Sequence, residues 1–187
     1  NDVGAPVREN SGDSYRMGIE ADAVLKITDK WFVRPNITLS LNKNEDFVFV
    51  RDGVLQELGN TNIAFSPNVI AGNAITFTPT KNLNLSLLSK FVGTQYMGNI
   101  DSEQSRLDAY AVSDVSISYS FKPKSIFKEI VFNALVNNIF DYQYESNGYF
   151  YTFDDDYSQP NVITTIEGAG YYPQAGINFL IGVTLKF

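Results

Sequence analysis

In the last ten residues, Phe179, Ile181, Val183, Leu185 and Phe187 alternate without a break with Asn178, Leu180, Gly182, Thr184 and Lys186. A period of two belongs to an extended strand with one apolar face, because successive side chains point to opposite sides of the backbone. The pattern recurs upstream. Ile130, Phe132, Ala134 and Val136 oppose Asn133 and Asn137, and Val115, Ile117, Tyr119 and Phe121 oppose Asp114, Ser116, Ser118 and Ser120. Leu83, Leu85, Leu87 and Phe91 alternate with Asn84, Ser86 and Lys90, while Val69, Ala71, Ile75 and Phe77 form a weaker face interrupted by Asn73. Near the start, Ile37, Leu39 and Leu41 alternate with Asn36, Thr38, Ser40 and Asn42. Ile19, Ala21, Ala23, Leu25 and Ile27 do so with Arg16, Gly18, Glu20, Asp22 and Lys26. β-Branched and aromatic residues dominate one face and Ser, Thr and Asn the other, which disfavours helix throughout. The pattern predicts seven strands, near residues 14–27, 32–44, 64–78, 83–97, 108–121, 130–140 and 174–187.

What covers the apolar face is a separate question. No stretch approaches the roughly 20 consecutive apolar residues of a membrane-spanning helix. A transmembrane barrel is invisible to that test, because its strands alternate lipid-facing and lumen-facing side chains. A soluble sandwich has the same period but uses the apolar face as its core.

Three features favour a barrel. The connections at 28–31, 78–82 and 122–129 are short, those at 45–62, 99–107 and 141–173 mostly long, and the two classes alternate. In an up-and-down antiparallel sheet, one end then carries tight turns and the other carries loops. Charge sorts the same way: residues 1–13, 43–63, 99–108 and 141–173 hold 16 of the 21 acidic residues and 4 of the 14 basic ones, a net of −12. Lys26, Lys30, Arg34, Lys81, Lys122, Lys124, Lys128 and Lys186 gather around the short turns. Solvated loops and Lys-rich turns are the plainer account of the whole segregation. Rings mark both ends, with Trp31, Phe32, Phe77, Phe121, Phe127 and Phe187 near the turns and Tyr15, Phe65, Tyr96, Tyr110, Phe140, Tyr142 and Tyr172 near the loops. Such girdles sit at the two membrane interfaces of a barrel.

Seven strands cannot close. Single-chain bacterial barrels have even strand numbers, and an open sheet in lipid leaves two rows of backbone groups unsatisfied at several kcal/mol each. Residues 1–13 read as a loop, and a hairpin around Asp52-Gly53 would add strands only in pairs. The reading is therefore a segment of a larger barrel.

Other function classes weaken on composition. With no Cys and no His, the chain has no disulfides, thiolate metal sites or imidazole chemistry. No carboxylate pair suits glycoside hydrolysis, no Gly-rich phosphate loop occurs and no nucleophile has a base, so neither an enzyme nor a cofactor is expected. A net charge of −7 is the wrong sign for a nucleic-acid binder.

The run Tyr171-Tyr172-Pro173-Gln174-Ala175-Gly176-Ile177-Asn178-Phe179-Leu180, ending Gly182-Val183-Thr184-Leu185-Lys186-Phe187, resembles the C-terminal segment of Bacteroidota TonB-dependent outer-membrane receptors. So do Asn137-Asn138-Ile139-Phe140-Asp141 with Tyr144-Glu145-Ser146-Asn147-Gly148-Tyr149, and Ser89-Lys90-Phe91-Val92-Gly93-Thr94-Gln95-Tyr96. Arg16-Met17-Gly18-Ile19-Glu20 and Ile63-Ala64-Phe65-Ser66-Pro67 look similar to earlier family segments. The resemblance implies an all-β, antiparallel, transmembrane barrel of 22 strands, of which these are the last seven. The plug domain and TonB box are absent from this sequence. It further implies active uptake of a scarce nutrient, an iron–siderophore complex, haem or cobalamin, energised through TonB in a Gram-negative outer membrane. The short turns and Phe187 would then face the periplasm and the long loops the exterior. Partners implied are membrane lipid, the remaining strands and plug, TonB, the nutrient and the barrel-assembly machinery. The last of these would recognise Phe179, Ile181, Val183, Leu185 and Phe187; plain lipid contact is the other account of that face. A small free-standing outer-membrane barrel with a structural or adhesive role is the alternative reading.

Within the longest loop, Tyr149, Tyr151 and Phe153 are the candidate ligand contacts, offering flat apolar surface with hydroxyl handles; a loop packing on itself is the plainer account. Asp154, Asp155 and Asp156 have the carboxylate density for calcium but not the spacing of a calcium loop, and a solvated acidic tip explains them as well. Arg16, Glu20, Asp22, Asn36, Asn42, Asn133 and Asn137 are expected to face the lumen and to need polar partners there.

Overall fold

The computed structural model describes residues 12–123 and 126–187. The loop expected over residues 1–13 falls largely outside the described residues, as does Lys124. Thirteen strands form among the described residues: β1 (Ser14–Asp22), β2 (Leu25–Lys26), β3 (Trp31–Arg51), β4 (Val54–Asn62), β5 (Val69–Thr80), β6 (Leu83–Val92), β7 (Gln95–Tyr96), β8 (Arg106–Leu107), β9 (Tyr110–Phe121), β10 (Glu129–Asn137), β11 (Glu145–Asp155), β12 (Thr164–Pro173) and β13 (Asn178–Lys186). A single turn of 3-10 helix spans Glu103–Ser105.

Seven of these strands lie side by side in the order β1-β3-β5-β6-β9-β10-β13, with β2 and β4 added beside β3. Every pairing is antiparallel. The register puts the apolar positions of neighbouring strands in continuous transverse rows, such as Ile37, Ala71, Phe91 and Ala111. One row breaks the pattern: Pro35, Asn73, Ser89 and Ser113 align across the same face. Ser89 and Ser113 satisfy each other at 2.9 Å, whereas Asn73 Oδ1 is buried without a hydrogen-bond partner.

Among the described residues, nothing covers the apolar face. Leu39 is 48% exposed, Ile117 39% and Phe132 46% on interior strands of the sheet. A water-soluble sandwich would bury them, so that reading is set aside. Among the described residues, the outer edges of β1 and β13 pair with no strand, leaving a curved wall open on both sides. This is part of a barrel.

The buried side chains sit at one end. Phe47, Val92, Met97, Leu107 and Tyr110 form a small core where the long connections meet. These connections are more ordered than loops. The 45–62 segment is the far half of a long hairpin, β3–β4, turning at Asp52 (φ 54°) and Gly53 (φ 71°); an Asp-Gly pair suits the positive φ required at both corners. Residues 141–173, read from the sequence as one long loop, contain the β11–β12 hairpin. Strand ends also differ from the alternation. Residues 64–68 precede β5, and β10 ends at Asn137, just before Asn138, whose φ of 50° breaks the extended run.

Aromatic pairs mark both ends of the wall. Trp31 and Phe77 stack at 4.4 Å beside the short turns, and Phe127 meets Phe187 at 5.1 Å. At the loop end, Tyr110 and Tyr144 stack at 4.3 Å.

Candidate functional site

The β11–β12 hairpin is a two-stranded sheet, so its side chains divide between two faces. Gly148, Phe150, Thr152 and Asp154 share one face with Tyr171, Ala169, Glu167 and Thr165. This face is seated on the rest of the loop end. A Cβ on Gly98 would fall 2.6 Å from Phe150 Cδ1, and one on Gly148 would fall 2.6 Å from Met97 Sδ. The absence of side chains lets the layers close. Tyr171 Oη donates to Gln104 O at 2.8 Å, and Glu167 accepts from both Arg51 Nη2 and Ser102 Oγ. Asp52 and Thr165 exchange two bonds of 2.7 Å.

The foot of the hairpin is anchored by Asn138, which is 4% exposed. Its N–H donates to Asp114 Oδ1 at 2.8 Å, its Nδ2 to the Tyr142 and Ala175 carbonyls, and its Oδ1 accepts from Tyr142 N–H. Asp141 Oδ1 accepts from Ile177 N–H at 2.8 Å. Burial, followed by the charge of Asp114, pushes the Tyr144 phenol up from its ordinary value. That ring is a packing group.

The opposite face carries Tyr149, Tyr151 and Phe153 across from Gly170, Gly168 and Ile166. The structure brings these three predicted residues together. Successive ring centroids are 6.3 Å apart, with planes 16° and 20° from parallel. A Cβ on Gly170 would lie 2.4 Å from Tyr149 Cε1 and Cζ, and one on Gly168 would lie 2.4 Å from Tyr151 Cζ. The rings therefore lean across β12 into space that the glycines leave vacant. Each of the three is 51% exposed. Tyr172 flanks the row, its ring 6.1 Å from Tyr149. Tyr172, Gly168 and Gly170 complete this surface beyond the three residues the sequence predicts. The signal was legible: Tyr-x-Tyr at 149–151 and Gly-x-Gly at 168–170 share the same period of two.

The acidic residues do not converge. Asp154 and Asp155 are neighbours on one strand and so point to opposite faces. Asp154 Oδ1 accepts from Thr165 Oγ1 at 2.7 Å, and Asp155 Oδ1 accepts from the N–H groups of Tyr157 and Ser158. Hydrogen bonds from Ser158, then from Tyr157, hold the Asp155 carboxyl below its usual range. No cluster of three metal-ligating side chains forms among the described residues. Asp154 and Asp155 are thus tied into the hairpin tip by hydrogen bonds to their own neighbours and to β12.

Beside the hairpin lies an open cleft of about 380 Å³ lined by Glu103, Arg106, Leu107, Asp108, Glu145 and Tyr171. Arg106 already pairs with Glu103 at 3.2 Å and Asp108 at 3.0 Å. On β13, Phe179, Ile181, Val183 and Leu185 share one face and pair with Val136, Ala134, Phe132 and Ile130. The expected lumen residues find polar neighbours: Arg16 lies opposite Asn42, and Asn137 Nδ2 donates to Asn178 Oδ1 at 2.8 Å.

A family model described as the outer membrane protein beta-barrel family matches residues 2–167. The chain belongs to this family. This outer-membrane barrel chain has no match among curated proteins. Solved structures share its fold. It is similar to the ferric yersiniabactin uptake receptor FyuA from Yersinia pestis, with 19% identity and a TM-score of 0.61, over 93% of this chain and 23% of that one. It is also similar to the ferric-catecholate import receptor Fiu from K12 E. coli in its closed form, with 16% identity and a TM-score of 0.61, over 91% of this chain and 20% of that one. The siderophore receptor PiuA from Acinetobacter baumannii gives 15% identity and a TM-score of 0.61, over 92% and 22%. The outer-membrane barrel chain thus spans between 20% and 23% of the length of these receptors.

Proposed function

We propose that this chain forms the last strands of a TonB-dependent active transporter, of Bacteroidota type, for a scarce nutrient, and that the ligand meets the rings of Tyr149, Tyr151 and Phe153. The observation that carries the reading is the open wall: an apolar face exposed across seven antiparallel strands with both edges unpaired among the described residues. In hydrocarbon such edges demand further strands, which disfavours the small free-standing barrel. The fold likeness to receptors whose names specify siderophores supports uptake, and iron complexes, haem, cobalamin or a glycan are the candidate cargoes. In this reading the short turns are periplasmic, the β11–β12 hairpin is extracellular, and a plug and TonB act through parts of the protein outside this segment.

The test is uptake of radiolabelled ferric siderophore, haem, cobalamin and oligosaccharide by cells expressing the full-length protein, with and without a protonophore. Energy-dependent accumulation of one of them is expected. Uptake that the protonophore leaves untouched, or no uptake of any, removes the transporter reading. The Phe179-to-Phe187 face serves as the assembly signal through strand addition; deleting Phe187 slows assembly, and unchanged outer-membrane yield counts against it.

A further inference from the structure

Resting on the reading of the β11–β12 hairpin as the ligand contact, we infer that the ligand it takes is an uncharged, ring-built, hydroxyl-bearing chain, that is, a neutral oligosaccharide. Three observations lead there.

The first is charge. Between Glu129 and Leu185 the chain contains no Lys and no Arg, while 141–173 alone holds six acidic residues. Of the guanidiniums beside the hairpin, Arg51 is paired with Glu167 on the seated face, and Arg106, in the cleft next to Tyr171, is paired with Glu103 and Asp108. A ligand rich in carboxylate, phosphate or catecholate charge finds no counter-charge on this surface and an unfavourable field around it.

The second observation excludes the opposite sign. A cation is held where several ring faces converge on one point. Here the three planes lie within 20° of parallel from one ring to the next and step along a strand, so they share no focus. Three carboxylates of the hairpin are already bonded: Asp154 to Thr165, Asp155 to Tyr157 and Ser158, and Glu167 to Arg51 and Ser102.

The third is shape. The rings repeat every 6.3 Å, and four residues of strand extend the surface over about 13 Å. A repeated apolar surface matches a ligand that itself repeats ring by ring. The apolar C–H faces of a pyranose chain lie on aromatic rings, and its hydroxyls reach the Tyr149, Tyr151 and Tyr172 phenols. Gly168 and Gly170 are part of the site, since any side chain there displaces a ring.

The experiment uses the full-length protein in detergent, titrated calorimetrically with maltohexaose and cellohexaose as neutral probes and with a ferric tris-catecholate complex as the anionic one. At least one oligosaccharide is expected to bind with little dependence on salt. Y149A/Y151A should lower that affinity about tenfold or more, from the stacking contribution of two rings. G168V/G170V keeps every ring but lifts two of them, and should weaken binding comparably while thermal unfolding stays within a few degrees of the parent. If neither oligosaccharide binds and the ferric complex binds in a Tyr149- and Tyr151-dependent way, the ligand class is overturned and the hairpin stands as the contact site. If binding of every probe ignores both double variants, the contact reading falls with it.

Discussion

Arg51, at the end of β3, donates through Nη2 to Glu167 Oε1 on β12, joining residues 116 positions apart. The Glu167 side chain is only 11% exposed, and its other oxygen accepts from Ser102 Oγ. One carboxylate therefore braces three separate connections, the β3–β4 hairpin, the 3-10 turn and the β11–β12 hairpin. Removing Arg51 leaves a mostly buried carboxylate short of a donor, which costs about 1–3 kcal/mol. R51A should speed amide hydrogen exchange across β11–β12, and R51A/E167Q should recover part of the loss, because the stranded charge is gone.

Gly148 lies where β11 and β12 approach each other closely. A Cβ there would lie 2.3 Å from the Gly170 carbonyl oxygen, which is backbone and has no rotamer to escape by. G148A is expected to destabilise the hairpin by about 1–3 kcal/mol, the scale of overpacking in a closed layer. G168A meets only the far end of a tyrosine ring and should cost less. Limited proteolysis of the hairpin in both variants decides between them.

Asn73 interrupts the apolar face between Ala71 and Ile75 and leaves its Oδ1 without a partner. An unsatisfied buried polar atom costs about 1–3 kcal/mol. Replacing Asn73 with Val suits a strand facing lipid, so N73V should raise the temperature at which the folded protein loses its compact form on electrophoresis.

The hairpin tip carries a pH dependence. Hydrogen bonds from Ser158 and Tyr157 depress the Asp155 pKa in the folded state, so the folded form binds the proton less readily than the unfolded one. The contribution is present above the unfolded pKa and disappears as pH falls through the folded value. Amide exchange at Tyr157 and Ser158 should accelerate in acid below the usual carboxylate range. D155A should show that faster exchange at neutral pH and lose the acid dependence.

Alternation decided a great deal unaided. Phe179 to Phe187, Val115 to Phe121 and Leu83 to Phe91 predict antiparallel strands with one apolar face, because a two-residue period is a property of the extended backbone itself. The choice of lipid over a soluble core needed tertiary structure, since Leu39 and Ile117 read identically in either setting and only their exposure separates the two.

The hairpin was hidden for a related reason. Tyr149, Tyr151 and Phe153 were visible as a cluster of rings, but the glycines that make room for them lie about twenty residues away. That distance closes only when β11 pairs with β12. Likewise, nothing local marks Arg51 as the partner of Glu167. Local sequence specifies which face a side chain occupies; pairing register and the packing of one connection on another decide which faces meet.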